Sequence, residues 1–184
     1  VVTDPYSGEM TGNVLTVKAQ MVKRSAVNRN YPMQGYYKVT GIAKGKNDVF
    51  ISDSVAKVRS VILQKYSVDI AQDYLTHIDF SQAYGVDGPS AGVTMAILLC
   101  SLIEGRPIRQ DVAVTGEINL GVGEQIMVTA VGGLYEKIKA AEAWGFKKVI
   151  VPQKNFEHSI DVKDYQIEVA PGKTLDDYLK ECLA

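Results

Sequence analysis

Ser90, in GVDGPSAG (85–92), and Lys137, in VGGLYEKIKAAEAWG (131–145), are residues whose types and settings allow a covalent reaction in this 184-residue chain. Gly88, Ser90 and Gly92 make a G-x-S-x-G pattern, which in an α/β-hydrolase is the nucleophile elbow. That reading demands a buried strand running straight into the serine. The residues before Ser90, QAYGVDGP, instead hold two glycines, a proline and an aspartate, and no apolar run. It also demands a histidine beyond the serine, and His158, in NFEHSID, is the downstream candidate. The stretch reads better as a loop followed by a helix, with Pro89 suited to the first helical position. There, unpaired backbone N–H groups and the helix dipole can stabilise an oxyanion forming beside Ser90, with Gly88, Pro89 and Ala91 shaping the backbone. A serine at a helix start can also be a simple cap, and spacing alone favours that reading.

Lys137 supplies the second half of a possible chemistry. On a helix beginning at Leu134, Leu134, Ile138 and Ala141 define an apolar stripe, and Lys137 falls about 60° from its centre. Lys139 points well away, toward water. A lysine drawn toward an apolar face either snorkels its ammonium outward or loses its charge, because burial lowers a lysine pKa. A neutral amine near Ser90 can act as the general base that a histidine usually provides.

The elements that must position these residues follow from pattern. Residues 1–13 carry turn chemistry in Asp4-Pro5, Ser7-Gly8 and Gly12-Asn13 and read as a leading loop. Strands are predicted over 14–22, 36–42 and 74–80, with an amphipathic helix between the last two, capped by Ser52 or Asp53 and burying Val55, Val58, Ile62 and Tyr66. Residues 81–88 read as a polar loop. AGVTMAILLCSLI (91–103) is apolar nearly all round, hence a buried helix ended by Gly105 and Pro107. A strand pair is predicted over 111–120 and 124–131, then a helix over 134–145, strands over 147–152 and 165–170, and a terminal helix over 174–183. Intermixed strands and helices without repeats or internal linkers predict one α/β or α+β domain.

Composition narrows the function further. The 46% hydrophobic content is that of a globular chain, and a formal net charge of −1 from scattered charges leaves no footprint for nucleic acid or an anionic membrane. Two cysteines, Cys100 and Cys182, make neither a disulfide framework nor a metal cluster, which fits a reducing compartment. No apolar run is long enough to span a bilayer. The chain begins at Val1 rather than methionine, as expected of a piece of a longer polypeptide.

DGPSAG (87–92), PIRQDVAVTGEINL (107–120) and VGGLYEKIKAAEAWGFKKVIVP (131–152), in that order, resemble the proteolytic domain of the Lon family of ATP-dependent proteases. GNVLTVKA, YYKVTG and the C-terminal strand and helix are similar to the same family, so the resemblance covers nearly the whole chain. It implies an α+β fold of mixed sheets with packed helices, like the second domain of ribosomal protein S5, over residues 1–184, with 1–13 leading in from an upstream module. It also implies a Ser-Lys dyad. Ser90 of the P-S-A-G motif would attack the scissile carbonyl, and Lys137 of the G-G-L-x-E-K motif would take the hydroxyl proton. Thr115 of the T-G-E motif would orient the lysine, with Glu117 in support. Asp87 is a candidate to pair with Lys137 and hold the site latched. The family implies unfolded protein substrates, a hexameric ring, a covalently linked AAA+ module and a cytoplasmic location, or a membrane-associated one in the archaeal branch. ATP and magnesium would bind in that module, since GIAKGKND (41–48) lacks the Ser/Thr and spacing of a P-loop, and no metal is expected in this chain. The chain departs from the pattern in a longer GVGEQIMVTA segment (121–130), and in a single His77 in THIDF, which looks archaeal beside a bacterial-looking DGPSAG. His77 reads as a strand or subunit-contact residue. The alternative function is a non-catalytic or latched assembly or substrate-holding domain of the same fold.

Overall fold

The computed structural model describes residues 2–3, 10–24, 36–41, 48–81, 89–121, 123, 125–159 and 164–184. It is a mixed α+β arrangement of small sheets and packed helices. Val2–Thr3 (β1) pairs antiparallel with Met10–Thr11 (β2), so the leading segment holds a short ladder where turn residues alone predict a loop. Val17–Lys23 (β3), Tyr36–Thr40 (β4) and Tyr74–Phe80 (β5) make one sheet in the order β3-β5-β4, with β3 antiparallel and β4 parallel to β5. Asp48–Tyr66 (α1) connects the latter two. It starts earlier than the predicted Ser52 or Asp53 cap; Asp48 is an equally good starting residue type, and spacing does not rank them. Its inward face is the predicted stripe, with Val58 and Ile62 fully buried and Val55 and Tyr66 half-buried.

Gly92–Glu104 (α2) is the predicted buried helix, closed by Gly105 in the left-handed conformation. The predicted strand over 111–120 is two strands in different sheets. Val112–Val114 (β6) runs parallel to Lys148–Pro152 (β9), which pairs on its other side with Glu168–Gly172 (β10). Glu117–Leu120 (β7) forms an antiparallel hairpin with Ile126–Thr129 (β8). Thr115 and Gly116 are the break: Thr115 N–H still reaches the Ile150 carbonyl on β9, after which the chain turns away. An apolar run with one glycine looks like a continuous strand in sequence, because nothing local records the change of partner. β10 lies three residues later than predicted at its start, and it tolerates Pro171 because it is an edge strand.

Leu134–Ala143 (α3) follows as predicted but ends before Trp144 and Gly145. Gln153–Ser159 (α4) fills part of the interval left between the strands predicted over 147–152 and 165–170; its Phe156 packs on the smaller core, an anchor the polar composition of the segment hides. Leu175–Cys182 (α5) opens with a capping box in which Thr174 Oγ1 accepts from Asp177 N–H and the Asp177 carboxylate accepts from Thr174 N–H. Lys148, at the start of β9, bridges Glu168 of β10 and Glu181 of α5 at 2.9 and 2.7 Å.

Two hydrophobic clusters result. The larger joins α1, α2, β5, β7, β8 and α5; the smaller joins α3, β9 and Ile167. Ile62 is fully buried in the larger one. Ile62→Ala is expected to lower unfolding free energy by about 2 to 5 kcal/mol in a denaturant titration. A loss below about 0.5 kcal/mol, the ordinary range of a surface change, would contradict that placement.

Candidate active site

Between the two clusters lies a cavity of about 350 Å³. Phe80 and Ile97 line it from the larger cluster, Ala141 and Val149 from the smaller, and Ser90, Ala91, Thr115 and Lys137 all face it. Glu117, also singled out by sequence, does not line it. Asp87 and Gly88 lie outside the described residues.

Ser90 sits in a 3₁₀ turn, Pro89–Ala91, that leads into α2. Pro89 therefore begins this turn, and the α-helix itself begins at Gly92. Ala91 is the helix cap residue and no side chain caps it, so the Ser90 hydroxyl is not used for capping. Two backbone hydrogen bonds tie the turn to the break between β6 and β7: Gly116 N–H donates to the Ser90 carbonyl at 3.1 Å, and Val93 N–H donates to the Gly116 carbonyl at 3.2 Å. On the other side Ser54, buried in α1, donates its hydroxyl to the Pro89 carbonyl at 3.4 Å. Glycines make this closeness possible. A Cβ on Gly92 would stand 3.0 Å from the Ile118 side chain and backbone, and one on Gly116 would stand 2.3 Å from Val128.

Thr115 is buried at the break, its carbonyl accepting from the Tyr178 hydroxyl at 3.0 Å. Glu117, two residues onward, turns its carboxylate to Lys57 of α1 at 2.6 Å and accepts from Thr129 at 3.4 Å. Glu117 thus ties α1 to the β7-β8 hairpin on either side of the Ser90 turn. Lys57 has no signature in sequence, since it is an ordinary helix-surface lysine there.

Lys137 projects from α3, whose Leu134, Ile138 and Ala141 are the buried stripe expected. Two features set the helix in place. Asn155 of α4 accepts from Val131 N–H and donates to the Val131 carbonyl, both at 2.9 Å, fixing the chain just before the helix. Gly12 lies so close over the helix that a Cβ there would come 1.8 Å from the Glu136 carbonyl oxygen, and the segment that follows, Asn13–Val17, walls the cavity. Lys139, on the other side of α3, pairs with Glu142 at 2.9 Å and lies over the Tyr165 ring.

The Lys137 amine has no charged or hydrogen-bonding partner among the described residues. Loss of hydration pushes its pKa down to about 8. Above that pH the amine is neutral and carries a lone pair. The same shift sets a stability trend: between pH 8 and the unfolded lysine value near 10.5, the unfolded chain holds a proton that the folded chain does not. Stability from this group therefore rises with pH across that window, and the burial cost is fully felt below pH 8.

His158 lies exposed on α4 and does not line the cavity, and β5 ends at Phe80, well before Ser90. Among the described residues the hydrolase elbow is thus without its histidine. His77, on β5, makes a 2.8 Å hydrogen bond with Thr40 Oγ1, a strand-to-strand contact. Among the described residues no group of three or more His, Cys, Asp or Glu is placed to hold a metal, and no helix is long and apolar enough to cross a membrane. An NMR titration following the Lys137 Cε resonance is expected to show a midpoint near pH 8. A midpoint at the ordinary lysine value, about 10.4, would contradict the buried-amine geometry.

Comparison with known proteins identifies the family. Residues 2–184 match the family described as the Lon protease (S16) C-terminal proteolytic domain. The Lon protease of Azorhizobium caulinodans is 34% identical over 194 residues, covering 100% of this chain and 20% of that protein. The archaeal Lon protease of Methanothermobacter thermautotrophicus is 34% identical over 179 residues, covering 96% and 26%. Lon protease 2 of Bacillus subtilis is 35% identical over 161 residues, covering 82% and 28%. The chain spans between a fifth and just over a quarter of the length of these relatives, and its identity to bacterial and archaeal ones is the same. This chain belongs to the family of Lon protease C-terminal proteolytic domains.

Proposed function

We propose that this chain is a serine endopeptidase domain working through a Ser90-Lys137 dyad. The observation that carries the reading is the convergence of Ser90, Thr115 and an amine of lowered pKa, Lys137, on one cavity. In this reading the neutral Lys137 amine takes the Ser90 hydroxyl proton as Oγ attacks the scissile carbonyl. The resulting ammonium returns the proton to the leaving amine, leaving an acyl-enzyme. A water then loses a proton to Lys137 and attacks the ester carbon, and the ammonium returns that proton to Ser90 Oγ as the ester bond breaks. Thr115, which lines the cavity without a hydrogen bond to the amine in the free domain, would steer it through its hydroxyl once substrate fills the cavity. Glu117 acts at a distance, through its link to Lys57.

Charge develops on the carbonyl oxygen during attack. The start of α2 offers backbone N–H groups and the positive end of a helix dipole for it. Val93 N–H is already committed to Gly116, and Pro89 has no N–H to give. Ser90, Ala91 and Gly88 are the residues proposed to shape this pocket. Pro89 restrains the turn.

The wider setting follows the family. Residues 1–184 would form the proteolytic domain of a longer polypeptide, receiving unfolded or misfolded chains from an AAA+ module that binds ATP and magnesium. Copies would assemble as a hexameric ring around enclosed sites, in the cytoplasm. Asp87 is proposed as a latch on Lys137 in an inactive state.

Ser90→Ala and Lys137→Ala, in the full-length polypeptide, are each expected to cut casein and fluorogenic-peptide hydrolysis by at least about 10³-fold, with folding retained by circular dichroism. Thr115→Val is expected to cost about tenfold. Cleavage at wild-type rate by cleanly prepared Lys137→Ala would contradict the mechanism.

A further inference from the structure

We infer that Tyr178, on α5, is a positioning residue for Ser90, acting through the single peptide group between Thr115 and Gly116. The inference rests on the Ser-Lys reading above and names what sets the serine's place.

The Thr115 carbonyl and the Gly116 N–H belong to one peptide unit. Its oxygen accepts from the Tyr178 hydroxyl at 3.0 Å, and its N–H donates to the Ser90 carbonyl at 3.1 Å. A peptide group is planar, so fixing the direction of its C=O fixes the direction of its N–H. Tyr178 therefore sets the orientation of the donor that holds Ser90. Hydrogen bonds in such a chain also polarise one another. Thr115 N–H still pairs with Ile150 on β9, but the peptide group that follows it makes no ladder hydrogen bond, so strand pairing does not impose this orientation.

The tyrosine itself cannot move. Its side chain is fully buried, and its ring rests on bare backbone at Gly172, where a Cβ would come 2.3 Å from the ring. A Cβ on Gly116 would stand 3.3 Å from the hydroxyl. Phenylalanine would fill nearly the same volume, so packing does not account for the hydroxyl. The hydroxyl's partner is the Thr115 carbonyl, and Tyr178 does not line the cavity. Its loss should leave substrate binding alone and loosen the nucleophile. A misplacement of about 1 Å at a reacting group can cost up to about 10²-fold in rate.

The test uses the full-length polypeptide and its Tyr178→Phe variant. It reads kcat and KM on a fluorogenic peptide, the rate of fluorophosphonate labelling located on Ser90 by mass spectrometry, and the melting temperature. Tyr178→Phe is expected to lower kcat and the labelling rate about tenfold, with KM unchanged within about twofold and the midpoint of the pH profile unmoved. Leu179→Val, a neighbouring core trim on the same helix, is expected to lower the melting temperature without lowering kcat. Gly172→Ala keeps the hydroxyl but pushes the ring aside. It should reproduce the loss of kcat at constant KM, which keeps the test open if Tyr178→Phe folds poorly. Full kcat and labelling in Tyr178→Phe, or an equal loss in Leu179→Val, would overturn the positioning role while wild-type labelling of Ser90 leaves the dyad standing. Active wild-type protein that never labels at Ser90 would overturn the dyad, and the positioning role with it.

Discussion

Holding the Lys137 amine half-buried in a cavity whose described walls offer it no carboxylate removes hydration without supplying a counter-charge, and the amine then gives up its proton near pH 8. Much of the surrounding structure serves to keep that arrangement. A free side chain of this length would swing to water. Its helix is pinned by Leu134, Ile138 and Ala141 in the smaller cluster, by Asn155 clasping Val131, and by Gly12 pressed onto the Glu136 carbonyl. The lysines outside the cavity behave differently. Lys57, Lys139 and Lys148 each meet a glutamate within 3 Å. A carboxylate placed equally close to Lys137 would restore its charge and remove its capacity as a base.

The second constraint is the break in the chain at Thr115–Gly116. Had residues 111–120 continued as one strand, the parallel sheet and the hairpin would merge and the gap between the two cores would close. By changing partners, the chain leaves a bare peptide group and a side-chain-free Cα at the point where the Ser90 turn must dock. The cavity exists because two cores meet there without merging, and each contributes one half of the dyad we propose. Ser90 belongs to the larger core through α2, and Lys137 to the smaller through α3.

Much of this was legible in the sequence where the signal was local. The stripe of α3 placed Lys137 near its buried edge, the apolar run of α2 gave a helix starting just after Ser90, and the P-S-A-G, T-G-E and G-G-L-x-E-K motifs pointed to the family. What escaped reading depended on partners distant in the chain. The split of 111–120 is decided by pairing with β9 and β8, helix α4 by one Phe156 on the smaller core, and the roles of Lys57 and Tyr178 by contacts 60 and 63 residues away. Glu117 shows the same limit: its motif suggested the site, while its carboxylate answers to a lysine on α1. Asp87 lies outside the described residues, and its part as a latch rests on its spacing from Ser90.

Whether the Lys137 amine activates Ser90 is read from the pH dependence of Ser90 acylation, followed as the second-order rate of fluorophosphonate labelling between pH 6 and 10 with the labelled peptide identified. The rate is expected to climb with pH and level off around a midpoint near 8, the pH at which the Lys137 amine becomes neutral. A rate that stays flat through pH 8, or that climbs only near the ordinary lysine value of about 10.4, would show that Ser90 draws its reactivity from some other group.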